Sequence, residues 1–274
     1  ALRSHGAATR TLDAIFDPRA HLLELPYDGA TRAIARSETG SEPGTIDLAV
    51  VPSAGLAPAE PDDDVVDRVL AWTTTASDRH RIRDRMRELR IAPWADATGE
   101  GLDLRVAAAH AALARLLVAT GDTAPADAPD LIVASGGIWR SMPPSLVALT
   151  LADVMRRPGA SQLAVDHAGL LAPLGSIPDA VERRAVLSDL VDDLLTPLGT
   201  LVMPSGMRPG RSAGQVTVHG VGPERTRDLV VGELALVALE PGEGAIADFR
   251  FRDTVRLDGE HGELRPAGGG VAVD

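Results

Sequence analysis

A short apolar run that ends in two glycines is the feature that most constrains the fold of this chain. Residues 131–135 read LIVAS, which is typical of a buried strand, and Gly136 and Gly137 follow at once. A loop, IWRSMPPS, then leads into the apolar sequence SLVALTLADVM, which predicts a helix. A strand, a tight glycine turn and a helix in this order form a unit of nucleotide-binding folds.

The chain continues to alternate strand and helix after this unit. We predict a second buried strand at Gln162–Val165 and an amphipathic helix at Ala180–Leu195. Such alternation over residues 129–202 predicts a mostly parallel sheet that is covered by helices.

The region before residue 60 predicts strands and loops. Short apolar runs at His21–Leu25 and Ile46–Val51 are separated by clusters of Gly, Pro and Ser, and the rest of residues 1–60 has no clear pattern. The acidic triplet Asp62, Asp63 and Asp64 suits a helix start, where negative charge is favoured. A divalent-cation site is the weaker interpretation, because consecutive residues of a helix cannot all face one ion.

Two helical regions follow the acidic triplet. Apolar residues recur at helical spacing over Val65–Leu89, with a break predicted near Thr73–Ser77, and an Ala/Leu-rich helix is predicted over Leu102–Ala119. The charged run DRHRIRDRMRELR lies in the first of these regions. We interpret it as a solvated helix face with Asp and Arg in pairing distance, and a partner surface is the alternative.

The C-terminal part has a different sequence pattern, which is typical of β-strands. Beyond Gly206, alternating apolar residues are separated by Gly-containing turns, at Gln215–His219, Leu229–Leu239, Ala247–Phe251 and Gly270–Val273. The sequence therefore predicts two domains, an α/β domain over residues 1–206 and a β-rich domain over residues 207–274. The segment MRPGRSAG, Met207–Gly214, is expected to be an exposed linker between them.

Composition excludes several classes of function. The formal net charge is −12, so nucleic acid is not an expected partner. All 27 basic residues are Arg, which removes Schiff-base chemistry and a phosphate-loop lysine, and the lack of Cys removes thiol chemistry. No apolar stretch is long enough to span a membrane, and we expect a cytoplasmic protein.

The glycine pair is the strongest candidate site. Glycines directly after a buried strand allow the backbone to approach a ligand closely, although such a turn also serves as a packing device. Asp166 and His167 also follow a strand end, where ligands of α/β proteins collect, but a structural turn is the alternative there. The seven His residues have no spacing typical of zinc ligands, and no Gly-x-Ser-x-Gly sequence frames a hydrolase nucleophile.

Three segments carry a resemblance to a known family. DLIVASGGIWRSMPP, LAVDHAGLLAPLGSI and LLTPLGTLVMPSG, in this order and spacing, resemble the C-terminal part of the glutamate mutase L (MutL) family. The resemblance covers about residues 100–274 and extends into ELALVALEPGEGAIADFRF. It implies an actin-like ATPase (ribonuclease H-like) fold with a C-terminal β-rich subdomain. In such folds a glycine pair after a strand contacts the adenosine, which implies nucleotide contacts at Ser135, Gly136, Gly137 and Ile138.

The family role implied is that of an accessory, chaperone-like or reactivating protein for a cobalamin-dependent mutase, with ATP and Mg²⁺ as the cofactors. This sequence departs from the pattern in both phosphate loops. The fold needs a phosphate loop of the type Asp-x-Gly-Ser/Thr-x-x-Thr, which no segment supplies, and the stretch from Asp47 to Gly55 is at best a degraded form of the second loop, Asp-x-Gly-Gly. Two explanations are open: the loop lies upstream in a longer protein, which would then be an ATPase, or the ATPase function has been lost. For this chain by itself we expect no catalysis, and we assign no catalytic or metal-binding residues.

Two alternatives remain open from the sequence. One is an ATP-binding phosphotransferase or ATPase of the actin and sugar kinase fold, with an intact cleft. The other is a structural role in which the fold serves the contacts of a homo-oligomer. The three interpretations predict different results with nucleotide. Binding with turnover supports the enzyme, and binding without turnover supports the accessory protein. No binding by a stable assembly supports the structural role.

Overall fold

The computed structural model describes most of the chain between residues 6 and 273. The described residues are 6–8, 10–12, 20–24, 32–40, 42–51, 62–74, 77–92, 98–119, 128–155, 158–220, 222–239, 244–256, 263–264 and 269–273. Within them the helices are α1 (6–8 and 10–12), α2 (Asp63–Leu70), α3 (Arg79–Ile91), α4 (Gly99–Ala119), α5 (Gly137–Arg140), α6 (Pro144–Val154), α7 (Leu171–Gly175) and α8 (Ala180–Leu194). None of these helices is long and apolar enough to cross a membrane.

The described strands form three sheets. They are β1 (Ala20–Glu24), β2 (Arg32–Gly40), β3 (Glu42–Val51), β4 (Leu131–Ser135), β5 (Gly159–Val165), β6 (Thr196–Met203), β7 (Ser212–His219), β8 (Arg225–Val230), β9 (Ala245–Phe251), β10 (Val255–Arg256), β11 (Glu263–Leu264) and β12 (Gly269–Val273). The sheet orders are β3-β2-β1-β4-β5-β6, β10-β11 and β12-β9-β7-β8.

The largest sheet has both strand directions. Strand β1 is antiparallel to β2, with Leu22 opposite Ala35, and β2 is antiparallel to β3. Strand β1 is parallel to β4, with Leu22 opposite Val133. The backbone N–H groups of Gln162 and Asp166 donate to the carbonyls of Asp130 and Ala134, so β4 and β5 advance in the same direction. The parallel course of β4 and β5 agrees with the mostly parallel sheet predicted for residues 129–202. The sheet as a whole is mixed, because the earlier strands β1, β2 and β3 are antiparallel to one another.

Contacts divide the chain into two compact units. The first comprises Ala1–Ala124, Leu131–Met155 and Leu163–Leu198, and the second comprises Pro125–Asp130, Arg156–Gln162 and Gly199–Asp274. One core of the first unit joins residues of α1, β1, β4, β5, α7 and α8: Ala8, Leu12, Leu22, Leu131, Val133, Ala164, Leu171, Leu174, Leu187 and Leu194. The core of the second unit lies mainly on β7 and β9: Val216, Val218, Ala245, Ala247, Phe249, Phe251 and Val255.

Most helices begin and end close to where the sequence places them. The predicted break near Thr73–Ser77 is confirmed, because α2 ends at Leu70 and α3 begins at Arg79. Helix α8 covers Ala180–Leu194, as predicted within one residue. The acidic triplet starts a helix, since the Asp62 side chain accepts a hydrogen bond from the Val65 N–H at 2.8 Å and Asp63 and Asp64 form the first turn.

The linker prediction is wrong at its C-terminal end. Strand β7 begins at Ser212, and both Ala213 and Gly214 are buried in it. Gly214 has φ +137° at an irregularity of the β7–β8 pairing, and a Cβ there would lie 2.0 Å from the Arg250 carbonyl oxygen. Gly214, which the sequence places at the end of an exposed linker, is instead required by close backbone packing inside a sheet.

The predicted strand over Leu229–Leu239 is also wrong beyond Val230, where β8 ends. Two Arg side chains of β8 bind the backbone of the following segment, Arg227 to the Leu236 carbonyl at 2.7 Å and Arg225 to the Ala238 carbonyl. Val237 and Leu239 of this segment pack on the core, whereas Leu234 and Leu236 are exposed. Its alternating pattern thus reflects one buried face, held by side-chain hydrogen bonds instead of a strand ladder.

Candidate functional site

On each of the neighbouring parallel strands β1, β4 and β5, the buried apolar residues of one sheet face are followed by a polar residue at the carboxyl end. Leu22 of β1, Val133 of β4 and Ala164 of β5 belong to one buried core. Side chains alternate between the two faces of a sheet, so the residues two positions further on lie on the same face. These residues are Glu24, Ser135 and Asp166, and Glu24 is directly opposite Ser135 in the β1–β4 register.

Ser135 and Asp166 form the centre of this polar row. The Ser135 hydroxyl donates to Asp166 Oδ2 at 3.0 Å. The other carboxylate oxygen, Oδ1, accepts the backbone N–H of Leu170 at 2.8 Å. Asp166 is only 1% exposed, whereas Ser135 stays partly exposed. A buried carboxylate thus holds the end of β4 and the turn after β5 together, and both of its oxygens are hydrogen-bonded.

The glycine pair lies where the sequence places it, at the end of β4. Gly136 has φ +111° and ψ +167°, a combination that is essentially restricted to glycine, and it precedes α5. Gly137 is the first residue of α5, and both glycines are partly exposed. Because the backbone here carries no side chain, a ligand at the carboxyl edge can approach the chain between β4 and α5 closely.

The segment after the glycines is partly helical, in contrast to the predicted loop. Helix α5 covers Gly137–Arg140, and Ser141 ends it by donating its hydroxyl hydrogen bond to the Gly137 carbonyl at 2.9 Å. Ile138 and Trp139 are each 1% exposed. Their burial anchors α5 against the protein interior, so Ile138 offers a ligand its backbone only.

The turn after β5 contacts α5 at a second point. Gly169 has φ +72°, and a Cβ on it would lie 2.6 Å from Nη1 of Arg140. The Arg140 side chain therefore covers the backbone of this turn. It can approach that backbone closely because residue 169 is glycine and has no side chain. Together with the Ser135–Asp166 hydrogen bond, this contact joins the glycine loop to the turn 166–170.

The two histidines considered in the candidate regions, His167 and His110, are not part of the polar row. The side chain of His167 is exposed. His110 contacts the Val106 carbonyl and Asp153 Oδ2, at 2.9 and 3.1 Å, and stacks on the Trp72 ring with centroids 4.7 Å apart. No group of three His, Asp or Glu side chains within the described residues is arranged to hold a metal ion.

Asp47 does not lie in a loop. It is inside strand β3, opposite Arg36 of β2, and residues 52–55 of the stretch that resembled a second phosphate loop lie outside the described residues. A phosphate loop needs its aspartate near a strand end followed by a glycine turn, and the position of Asp47 within β3 does not fit that role.

Sequence reasoning missed Glu24 and the partnership of Ser135 with Asp166. Glu24 is brought to the row only by the parallel pairing of β1 with β4. One signal was nevertheless present: a polar residue follows the buried apolar run in each strand, as in HLLE, LIVAS and LAVD. Where parallel strands are neighbours, such terminal residues meet at one edge of the sheet.

Comparisons with known proteins add no relative. The sequence matches no protein-family model, and no curated protein matches it significantly.

Proposed function

We propose that the first unit binds a nucleoside or nucleotide at the carboxyl edge of β1, β4 and β5. The observation that carries this proposal is the conformation of Gly136, which only glycine adopts readily, at the end of the central parallel strand. Ligands of open α/β sheets bind outside the carboxyl ends of parallel strands. The hydrogen-bonded pair Ser135 and Asp166 gives this edge fixed polar atoms beside the bare backbone.

The strand arrangement supports an actin-like, ribonuclease H-like domain as the framework. An antiparallel meander of β1, β2 and β3 is followed by helices and by β4 and β5, which extend the sheet from β1 in parallel. In that framework the glycine pair after β4 has the position expected of an adenosine contact.

For the whole chain we propose an accessory, chaperone-like or reactivating role toward a cobalamin-dependent mutase. This part of the proposal rests on the resemblance of the three segments around residues 130–206 to glutamate mutase L. We propose binding without catalysis, because the sequence has no Asp-x-Gly-Ser/Thr-x-x-Thr loop to seat Mg²⁺ and the γ-phosphate.

Calorimetric titration with adenosine, ADP and ATP, together with an assay of phosphate release, tests the proposal. We expect binding, no steady turnover above background, and weaker binding by Gly137→Val. The matched control is Gly244→Ala, since Gly244 has no atom within 4 Å of its added Cβ. Steady ATP turnover that Gly137→Val abolishes supports the alternative of an ATPase or phosphotransferase, and no binding by a stable homo-oligomer supports the structural role.

The mutase role needs its own experiment. The chain is added with nucleotide to a cobalamin-dependent aminomutase that has been inactivated by turnover, and the recovered mutase activity is measured. We expect recovery with the chain and nucleotide together and none with either alone. Equal recovery with Gly137→Val contradicts a nucleotide-dependent role.

A further inference from the structure

The Ser135 hydroxyl has a defined hydrogen-bond direction. Asp166 as a carboxylate has acceptors only, and its Oδ1 already accepts the Leu170 N–H at 2.8 Å. The Ser135 proton is therefore directed to Asp166 Oδ2, at 3.0 Å. A hydroxyl has one proton and two lone pairs, so the part of Ser135 that remains for a ligand is an acceptor.

We propose that Ser135 accepts a hydrogen bond from an O–H or N–H group of the bound nucleoside, and that Asp166 sets this direction as a positioning residue. The inference rests on the proposed nucleoside site and adds the chemistry that the site selects. Phosphate oxygens are acceptors at neutral pH and do not satisfy a lone pair of Ser135. The groups that do are the sugar hydroxyls and the amino group of the purine, so the nucleoside part and not the phosphate chain faces this residue.

Exposure and burial support this division of roles. Asp166 is buried, at 1% exposed, and is shielded from the ligand, whereas Ser135 is partly exposed at the carboxyl edge next to Gly136. A ligand that approaches the bare backbone of Gly136 is therefore adjacent to the partly exposed Ser135. Truncating a ligand donor leaves that oxygen desolvated without a partner, which is the basis of discrimination.

The Asp166→Asn variant is expected to invert the direction of the hydrogen bond between Ser135 and residue 166, with little change in the shape of the side chain. The Leu170 N–H is a donor and needs the oxygen of the new side-chain amide, so the NH₂ group of that amide faces Ser135. The Ser135 oxygen then accepts a hydrogen bond from this NH₂ group, and the hydroxyl proton is released toward the ligand. The same site is expected to lose its preference for a ligand donor although both protein hydrogen bonds are kept.

Titration of the full chain with adenosine, 2′-deoxyadenosine, 3′-deoxyadenosine and purine riboside, which lacks the amino group, tests the inference. We expect one of the three analogues to bind the native chain about 3- to 10-fold more weakly than adenosine, as the loss of one hydrogen bond implies. The identity of that analogue tells a sugar hydroxyl from the purine amino group. In Ser135→Ala and in Asp166→Asn the difference between adenosine and that analogue is expected to disappear.

A destabilised control separates positioning from folding. Leu187→Ala removes a buried side chain of the same core without touching Ser135 or Asp166, so it lowers the Tm and keeps the discrimination between adenosine and the analogue. Adenosine binding with equal affinity for all three analogues overturns the inference alone, as does discrimination that survives Ser135→Ala. Absence of any nucleoside binding by the native chain overturns the proposed function and the inference with it.

Discussion

Gly136 has a backbone conformation that residues with a side chain rarely adopt, at φ +111° and ψ +167°. Gly136→Ala is expected to lower the free energy of unfolding by about 1–3 kcal/mol through backbone strain. Urea unfolding of the two proteins measures this difference. The control is Gly137→Ala, since residue 137 is in helix α5, where alanine is favoured, and a smaller change is expected. An equal loss in both variants would mean that side-chain packing, and not the conformation of Gly136, is responsible.

At the scale of single elements, α1 is held against α7 at a position that has no space for a side chain. A Cβ on Gly175 would lie 1.7 Å from the Ala7 carbonyl oxygen. Arg10 donates to the Gly175 carbonyl at 3.2 and 3.0 Å through Nε and Nη2, and Thr11 donates to the Leu171 carbonyl at 2.7 Å. The two helices therefore contact each other through their backbones.

Gly175→Ala is expected to lower the free energy of unfolding by about 1–3 kcal/mol or more, because the clash is with backbone that cannot rotate away. The measurement is the urea midpoint together with the rate of tryptic cleavage after Arg10, which rises if α1 is displaced. Gly244→Ala, with open space around its Cβ, is the control and is expected to stay within about 0.5 kcal/mol. An unchanged midpoint in Gly175→Ala would contradict the observed packing of α1.

Charged residues of α2, α3 and α4 pair between helices, in addition to the pairing of Asp and Arg within the charged run that the solvated-face interpretation expects, as between Asp84 and Arg87. Arg79 pairs with Asp67 at 2.5 Å and Arg81 with Glu100 at 2.7 Å. The hydrogen bond from Arg81 lowers the pKa of the Glu100 carboxyl, and the same bond raises the pKa of Arg81. Such exposed pairs contribute little each, and salt weakens them.

Helix α3 is expected to show acid sensitivity at its N-cap. Asp78 accepts the Arg81 backbone N–H at 2.8 Å, and this bond lowers the pKa of the Asp78 carboxyl below its ordinary value of 3.8. A pKa that is lower in the folded state stabilises the fold above the unfolded value, and this stabilisation is lost as the pH falls through the folded value.

Asp78→Asn keeps an acceptor for the N-cap but does not titrate, so its stability is expected to fall less than that of the native chain between about pH 6 and pH 3. Urea midpoints over this pH range give the comparison. Asp84→Asn serves as the control, because Asp84 is an exposed residue inside the same helix, 3.4 Å from Arg87. Parallel pH profiles of the native chain and Asp78→Asn would show that the cap contributes no pH dependence.

At the scale of the whole molecule, the chain divides into two compact units, so a change inside the second unit is expected to leave the proposed site of the first unit unaffected. Gly214→Ala places a Cβ 2.0 Å from the Arg250 carbonyl oxygen, at a φ of +137°. We expect this variant to lower the stability of the second unit by about 1–3 kcal/mol and to leave nucleoside affinity unchanged. Calorimetric unfolding and titration with adenosine measure the two effects, with Gly244→Ala as the control. If Gly214→Ala lost as much adenosine affinity as Gly137→Val, the proposal that binding depends on the first unit alone would be wrong.

The sequence by itself determined those features that depend on neighbours along the chain. The run LIVAS predicts β4 and the periodicity of residues 180–194 predicts α8, because burial of one stripe or run is encoded locally. The acidic residue at position 62 predicts a cap for the same reason, since a cap bonds to the N–H of a residue only a few positions on.

Only the tertiary structure decided which residues share the candidate site. Ser135 and Asp166 are 31 positions apart, and Glu24 joins them through the register of β1 with β4. The need for glycine at positions 175 and 214 likewise comes from carbonyl groups that are distant in sequence, those of Ala7 and Arg250. Strand pairing and close backbone contacts are set by the packing of the whole chain, and a local pattern of apolar and polar residues does not encode a partner at that distance.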